Sequence, residues 1–253
     1  MTDNTARILA DYRPSDFSIS TIDLTFELSD NATVVTNVMK ISREGDNNRP
    51  LVLNGEHLTL LSLTLDGEVL NKDSYQLTEH LLTIPVSQAE FTLIVATEIN
   101  PEKNTALEGL FKSGGAFCTQ CEAEGFRRIS YYLDRPDVMA KFSTKVIADK
   151  ANYPFLLSNG NKIDEGDLPH GKHFVTWQDP FLKPCYLFAL VAGDFDLLTD
   201  TYTTCSGREV ALEIFVDRGN LLKAHHAMAS LKKSMKWVLF IFIGVTFYSI
   251  YFT

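Results

Sequence analysis

Residues 19–28 read ISTIDLTFEL, and from Ile22 onward the apolar residues Ile22, Leu24, Phe26 and Leu28 alternate with polar ones. A period of two marks a strand with one face on a core, because successive side chains leave an extended backbone on opposite sides. The same period returns at Leu61, Leu63 and Leu65, and it governs the chain from residue 19 to about residue 100. Asp66-Gly67 tolerates the positive φ angles of a tight hairpin, and Asn54-Gly55 is a second such signal. Short strands with frequent turns predict a mainly β chain, an antiparallel sandwich or barrel.

Beyond the middle of the chain the alternation resumes at Phe142–Ala148. PCYLFALVAGDF, residues 184–195, is almost unbroken in its apolarity and predicts a strand covered on both faces. Val210, Leu212, Ile214 and Val216 predict one more strand, closed by Asp217-Arg218-Gly219. Then the period changes: Leu221, Ala224, Met228, Leu231 and Met235 fall at helical spacing, which predicts an amphipathic helix over 220–236. From Trp237 the sequence WVLFIFIGVTFYSIYFT has neither charge nor proline in its 17 residues. As a helix it would be about 25 Å long, short of the roughly 30 Å hydrocarbon core of a bilayer. Lys232, Lys233 and Lys236 stand where the cytosolic flank of a membrane segment carries positive charge. The tail fits either a membrane helix or a cross-strand aggregate.

With 253 residues, 45% hydrophobic and 22% charged, the chain has the composition of a folded protein. A formal charge of −9 excludes a nucleic-acid footprint, which needs clustered positive charge, and leaves a small molecule, a peptide or a protein as partner. No apolar run follows Met1–Asn4, so no secretory signal is read and a cytoplasmic location is expected, with membrane association through 237–253 as the alternative. Cys118, Cys121, Cys185 and Cys205 are too few and too scattered for a disulfide framework and are read as reduced thiols.

Chemistry-bearing patterns are sparse. Cys118-Thr119-Gln120-Cys121 is a lone C-x-x-C with no second pair and no nearby histidine, and is read as structural. His170 and His173 lie in a polar stretch beside Pro169 and Gly171 that reads as a solvated turn, and the adjacent His225-His226 lack the spacing of helical zinc ligands. There is no H-E-x-x-H, G-x-S-x-G, G-x-G-x-x-G or P-loop, so no catalytic residue and no metal ligand is assigned. One segment stands out, CTQCEAEGFRRISYYLDRPDVMAKF at 118–142. If extended, it would point Gln120, Glu122 and Glu124 to one side as a negative lip suited to an ammonium group. A solvated face, with Arg127 and Arg128 as surface ion-pair partners, explains the pattern equally well.

That segment is similar to one in bacterial enzymes of the aminopeptidase N family, where T-Q-C-E precedes an aromatic-rich L-D-R-P-D run. NTALEGLF (104–111), YPFLLSNGN (153–161), KPCYLFALVAGDF (183–195) and SGREVALEIFVDRGN (206–220) resemble the same family in the same order, so the likeness runs from about residue 10 to Trp237. The resemblance implies a saddle-shaped β-sandwich amino-terminal domain over 1–193. Over 194–236 it implies the opening strands and helix of a thermolysin-like catalytic domain, orphaned from the rest of their sheet, before the apolar tail 237–253. It implies an enzyme that removes amino-terminal residues from peptides with zinc held by H-E-x-x-H. It gives Gln120 and Glu122 the role of binding the free α-amine of the substrate. Neither H-E-x-x-H nor the family's G-A-M-E-N occurs in these residues, so the expectation is a monomeric substrate-anchoring domain, cut before its zinc site, with no cofactor of its own and no activity alone. The likeness stops abruptly at Val238, as a frameshift would produce; a membrane-tethered module binding peptide amino termini is the alternative.

Overall fold

The computed structural model describes residues 8–241. The opening alternation becomes the strand Phe17–Glu27, but its buried positions change phase, from Phe17 and Ile19 to Ile22, Leu24 and Phe26. A register shift between Ile19 and Thr21 explains the change, since one extra residue in a strand moves every later side chain to the other face. This strand lies in the middle of a nine-stranded sheet. On one side follow Thr33–Arg43, Glu90–Ile99, Thr59–Leu65 and Glu68–Val69; on the other follow Met139–Asp149, Lys172–Gln178 and Asn161–Asp167, with Lys183–Pro184 paired to the end of Met139–Asp149. Asp66 and Gly67, at φ 48° and 87°, close the tight hairpin between Thr59–Leu65 and Glu68–Val69 as the Asp-Gly pair predicts.

Two smaller antiparallel sheets complete the main body: Phe155–Ser158, Leu190–Gly193, Ala116–Gln120 and Gly109–Ser113 in that order, and Leu51–Asn54, Leu81–Ile84 and Gln76–Leu77. The chain is mainly β, as expected, and its sheets are antiparallel with one departure. Phe17–Glu27 and Met139–Asp149 run parallel, Thr21 opposite Lys141 through Glu27 opposite Ile147. Parallel neighbours cannot be joined by a hairpin, and here the connection takes in the whole three-stranded sheet and two strands, Gly109–Ser113 and Ala116–Gln120, of the four-stranded one.

All three sheets share one core with the segment 126–133. Phe126, fully buried, packs edge-on against Tyr132, Phe142 and Phe188 with ring centroids 5.0, 6.1 and 5.5 Å away. Two buried polar residues of the large sheet fasten that segment. Asn37 Nδ2 donates to Ser130 Oγ at 3.1 Å, and Thr97 Oγ1 donates to the Ile129 carbonyl at 3.0 Å.

A second, smaller core is built from the ribbon Phe195–Thr203 and Glu209–Asp217 and the helix Leu221–Ile241. Leu212 and Ile214 of the ribbon meet Ala224, Met228 and Met235 of the helix, the spacing read from the sequence. The helix that follows gives the ribbon one covered face. Among the described residues no helix is long and apolar enough to cross a membrane. Residues 242–253, most of the tail on which the membrane reading rests, lie outside the described residues.

Three local readings are corrected. Asn54-Gly55 closes no hairpin; Asn54 exchanges backbone hydrogen bonds with Tyr132 at 2.8 and 3.1 Å, and a Cβ on Gly55 would lie 2.2 Å from the Tyr131 ring. That glycine makes room for an aromatic ring instead of supplying a positive φ. Residues 184–195 are not one strand, because a 3-10 turn, Cys185–Leu187, separates Lys183–Pro184 from Leu190–Gly193. An apolar run is buried equally well in either form, so periodicity could not separate them. His173 is not in a solvated turn: it is buried in the strand Lys172–Gln178, its Nε2 2.8 Å from the Tyr153 carbonyl oxygen.

Tyr153 also joins an ionic knot at the rim of the four-stranded sheet. Tyr153 Oη donates to Asp30 Oδ1 at 2.8 Å, and Lys112 Nζ lies 2.9 Å from the same oxygen and 3.1 Å from Tyr153 Oη. Burial opposes the charge on Lys112, but the bonds to Asp30 and Tyr153 outweigh it and raise its pKa to about 12, while the bond from Lys112 holds Asp30 below the ordinary carboxylate value. Because Asp30 is depressed in the folded state, its contribution is present above about pH 4 and is lost as pH falls through the folded value. Asp30→Asn is therefore expected to flatten the loss of stability below about pH 4, read from urea midpoints across pH; an unchanged slope would remove the knot from the acid response. Phe126→Ala is expected to lower stability by about 3–5 kcal/mol, and a loss under about 1 kcal/mol would show that the ring is not central to the core.

Candidate functional site

The strand Ala116–Gln120 is pinned on both sides. Gln120 lies opposite Gly109, Phe117 lies opposite Ala192, and Thr119 Oγ1 accepts from Leu190 N at 2.8 Å. At Gln120 the strand stops. The Gly125 N–H donates to the Cys121 carbonyl at 2.9 Å and closes a turn, in which the Glu122–Ala123 peptide bond is cis. Gly125 is required there by space, since a Cβ would lie 2.5 Å from the Gln120 carbonyl oxygen and 3.0 Å from Gly109 N.

The extended lip of three acidic and amide side chains is therefore only partly formed. Gln120 and Glu122 are both exposed and flank buried Cys121, as alternation predicts. Glu124 departs from the pattern because the backbone turns before it; it is half-buried, with Oε2 3.3 Å from Arg127 Nη2. An exposed carboxylate beside an exposed amide offers several acceptors to a group with three N–H donors, the inventory of an ammonium ion.

The two arginines are not surface ion-pair partners. Their side chains are only 15% and 19% exposed, and they leave the 3-10 turn Phe126–Arg128 for different carboxylates. Arg127 donates from its backbone N and from Nε to Asp134 Oδ2 at 3.1 and 2.9 Å, and from Nη2 to the Asp134 carbonyl at 3.4 Å. Cys185 Sγ donates to the other oxygen, Asp134 Oδ1, at 3.1 Å. Asp134 is buried at the centre of these donors. Arg128 Nη2 lies 3.0 Å from Glu56 Oε2, and its Nε lies 3.1 Å from Glu108 Oε2 without the alignment of a hydrogen bond. Sequence reading missed Asp134 and Cys185. Asp134 stands in the quoted L-D-R-P-D run, but nothing in its spacing showed that it faces inward toward an arginine seven residues earlier.

No cysteine is disulfide-bonded. Burial, followed by the charge of Asp134, pushes the Cys121 and Cys185 thiols far above the ordinary range, so neither is a nucleophile. Among the described residues no group of three His, Cys, Asp or Glu side chains is placed to hold a metal. His170 and His173 point to no shared centre, one in a turn at φ 62° and the other bonded to a buried carbonyl.

This fold is that of a known class. The Peptidase M1 N-terminal domain profile matches residues 15–187, and the chain belongs to that family. Among individual relatives it is 59% identical over 232 residues to aminopeptidase N of Escherichia coli strain K12, covering 92% of this chain and 26% of that protein. It is 52% identical over 229 residues to aminopeptidase N of Caulobacter vibrioides, covering 90% of this chain and again 26% of the relative. The chain thus spans about a quarter of the length of these curated relatives. In structure it is similar to Legionella pneumophila aminopeptidase A in complex with aspartic acid, with a TM-score of 0.87 and 36% identity over 92% of this chain and 28% of that one. An M1 zinc metallopeptidase of Deinococcus radiodurans shares the fold, with a TM-score of 0.67 at 15% identity over 81% of this chain and 48% of that one.

The burial pattern sets an order of thiol reactivity. Exposed Cys205 is expected to react first with a disulfide reagent in the native protein, half-buried Cys118 more slowly, and Cys121 and Cys185 only on unfolding. Mass mapping of the labelled sites checks this, and native labelling of Cys185 would contradict its bond to Asp134.

Proposed function

We propose that this chain provides the substrate-anchoring face of a zinc aminopeptidase, with Gln120 and Glu122 holding the free α-ammonium of a peptide. The observation that carries the reading is the turn at 121–125. It leaves an amide and a carboxylate exposed on either side of a buried residue, in a chain of the Peptidase M1 N-terminal family. Relatives named as aminopeptidases, and a structural neighbour holding aspartic acid, support an amino-acid or peptide ligand.

In this reading the main β body through about Gly193 is the anchoring domain, and 194–236 begin a second one. The two separate apolar cores support that division. Hydrolysis needs a metal and a polarised water, and the described residues do not fit a zinc ion. No chemical step is therefore assigned to them. Their part is to fix one end of the substrate, so that a scissile bond is presented at a set distance from chemistry supplied elsewhere.

Magnitudes shape the test. A carboxylate–ammonium bond contributes about 1.5–3 kcal/mol when desolvated but about 0–1 kcal/mol at an exposed site. The chain alone is therefore expected to bind weakly, at millimolar concentrations. An NMR titration with an alanyl peptide amide should shift resonances of 120–125 when its amino terminus is free and not when it is acetylated. Glu122→Gln should abolish the difference. Equal shifts with both peptides would overturn the reading, as would stoichiometric zinc binding with release of product from an amino-acid anilide.

A further inference from the structure

The turn that carries Glu122 is short, exposed along one side and followed by buried Phe126 and then two arginines. Left to itself such a loop would sample many conformations, and an exposed carboxylate on it would lose most of its binding free energy to ordering. What opposes this is a chain of contacts running from the core to the rim. Cys185 donates to one oxygen of buried Asp134, Arg127 donates twice to the other, and the outer Nη2 of Arg127 reaches the Glu124 carboxylate at 3.3 Å. Glu124 stands two residues after Glu122, on the far side of the cis peptide bond. The base of the turn is held separately, by the Cys121–Gly125 bond and by the tight packing of Gly125.

We infer that Arg127, fixed by Asp134, is a positioning residue for Glu122, and that it acts through Glu124 to hold the exposed half of the turn in its amine-accepting form. The inference rests on the proposed role of Glu122. Guanidinium geometry suits this role, because a planar fork bonded to a buried carboxylate on one edge has few orientations left for its other edge. A lysine could keep the charge at Asp134, but its donors all leave one nitrogen and lack the rigid planar fork that reaches Asp134 and Glu124 together.

The test is a double-mutant cycle on the 253-residue chain with Glu124→Gln, Arg127→Lys and the pair, titrated with the same free and acetylated alanyl peptides. Each single variant is expected to weaken free-amine binding by about threefold, and the double variant should be no weaker than the worse single one. Additive losses would mean that Glu124 attracts the ammonium directly and would overturn the inference. So would wild-type affinity in either folded variant. ¹⁵N relaxation supplies a readout that a merely stabilising role would not move: residues 122–124 should become mobile in Glu124→Gln while its melting temperature stays near that of the wild type. If Arg127→Lys fails to fold, this relaxation decides, and an unchanged, rigid turn counts against the inference. Wild type that discriminates free from acetylated peptide, with Glu122→Gln losing the difference, keeps the proposed function even if the positioning role falls. Wild type that does not discriminate removes both.

Discussion

The candidate site depends on one buried carboxylate. Asp134 sits under the turn and accepts from the backbone N–H and guanidinium of Arg127, seven residues before it, and from the thiol of Cys185, 51 residues after it. Burying a charge is unfavourable unless its lone pairs are filled, and removing one partner of such a pair leaves the other uncompensated, typically at about 3–5 kcal/mol. This asymmetry makes Asp134 a constraint on its neighbours. The 3-10 turn must bring Arg127 inward, and the segment after Pro184 must turn instead of extending, so that Cys185 faces the same point. What the sequence presents as a charged patch is, in three dimensions, a core-to-surface strut.

The strands were legible in the sequence because burying one face of a sheet imposes a period of two that survives without any knowledge of partners. Even the bulge is written there, in the change of apolar phase between Ile19 and Ile22. The failures are of a different kind. At Asn54-Gly55, two residues with a strong turn preference serve a strand end and a close aromatic contact, because the Tyr131 ring needs the space a side chain would fill. Across 120–124, alternation held for two side chains and failed at the third, because the turn is set by a backbone bond to Cys121 and by packing at Gly125. Neither of these has a periodic signature. Arg127 and Arg128 looked like solvated charges for the same reason: an arginine's partner is decided by tertiary contacts, and the sequence shows only that a charge is present.

The division of the chain into two apolar cores follows from connection length and from what each element can cover. The large sheet, the two small sheets and the segment 126–133 close over one another, whereas the ribbon Phe195–Thr203 and Glu209–Asp217 finds its cover in the helix that follows it. The two bodies meet through rings: Phe155 of the four-stranded sheet stands 5.2 Å from Phe215 and 6.5 Å from Phe195 of the ribbon, centroid to centroid. A contact of a few aromatic rings lets each core keep its own packing while limiting how far one body can swing against the other.

The parallel seam at the middle of the large sheet has a consequence for how the molecule comes into being. Phe17–Glu27 has one antiparallel neighbour close in sequence, Thr33–Arg43, and one parallel neighbour whose pairing begins at Lys141. A chain emerging from the ribosome can pair Phe17–Glu27 with Thr33–Arg43 promptly. The first strand then keeps one edge open until the residues around 139–149 have been made, and closing a loop of that length is slow. The turn with Gln120 and Glu122 lies inside that loop. Its full set of contacts waits longer still, because Cys185, which bonds Asp134, and Leu190, which pins Thr119, are made after the seam strand, and until the seam closes the nascent domain carries an unpaired sheet edge.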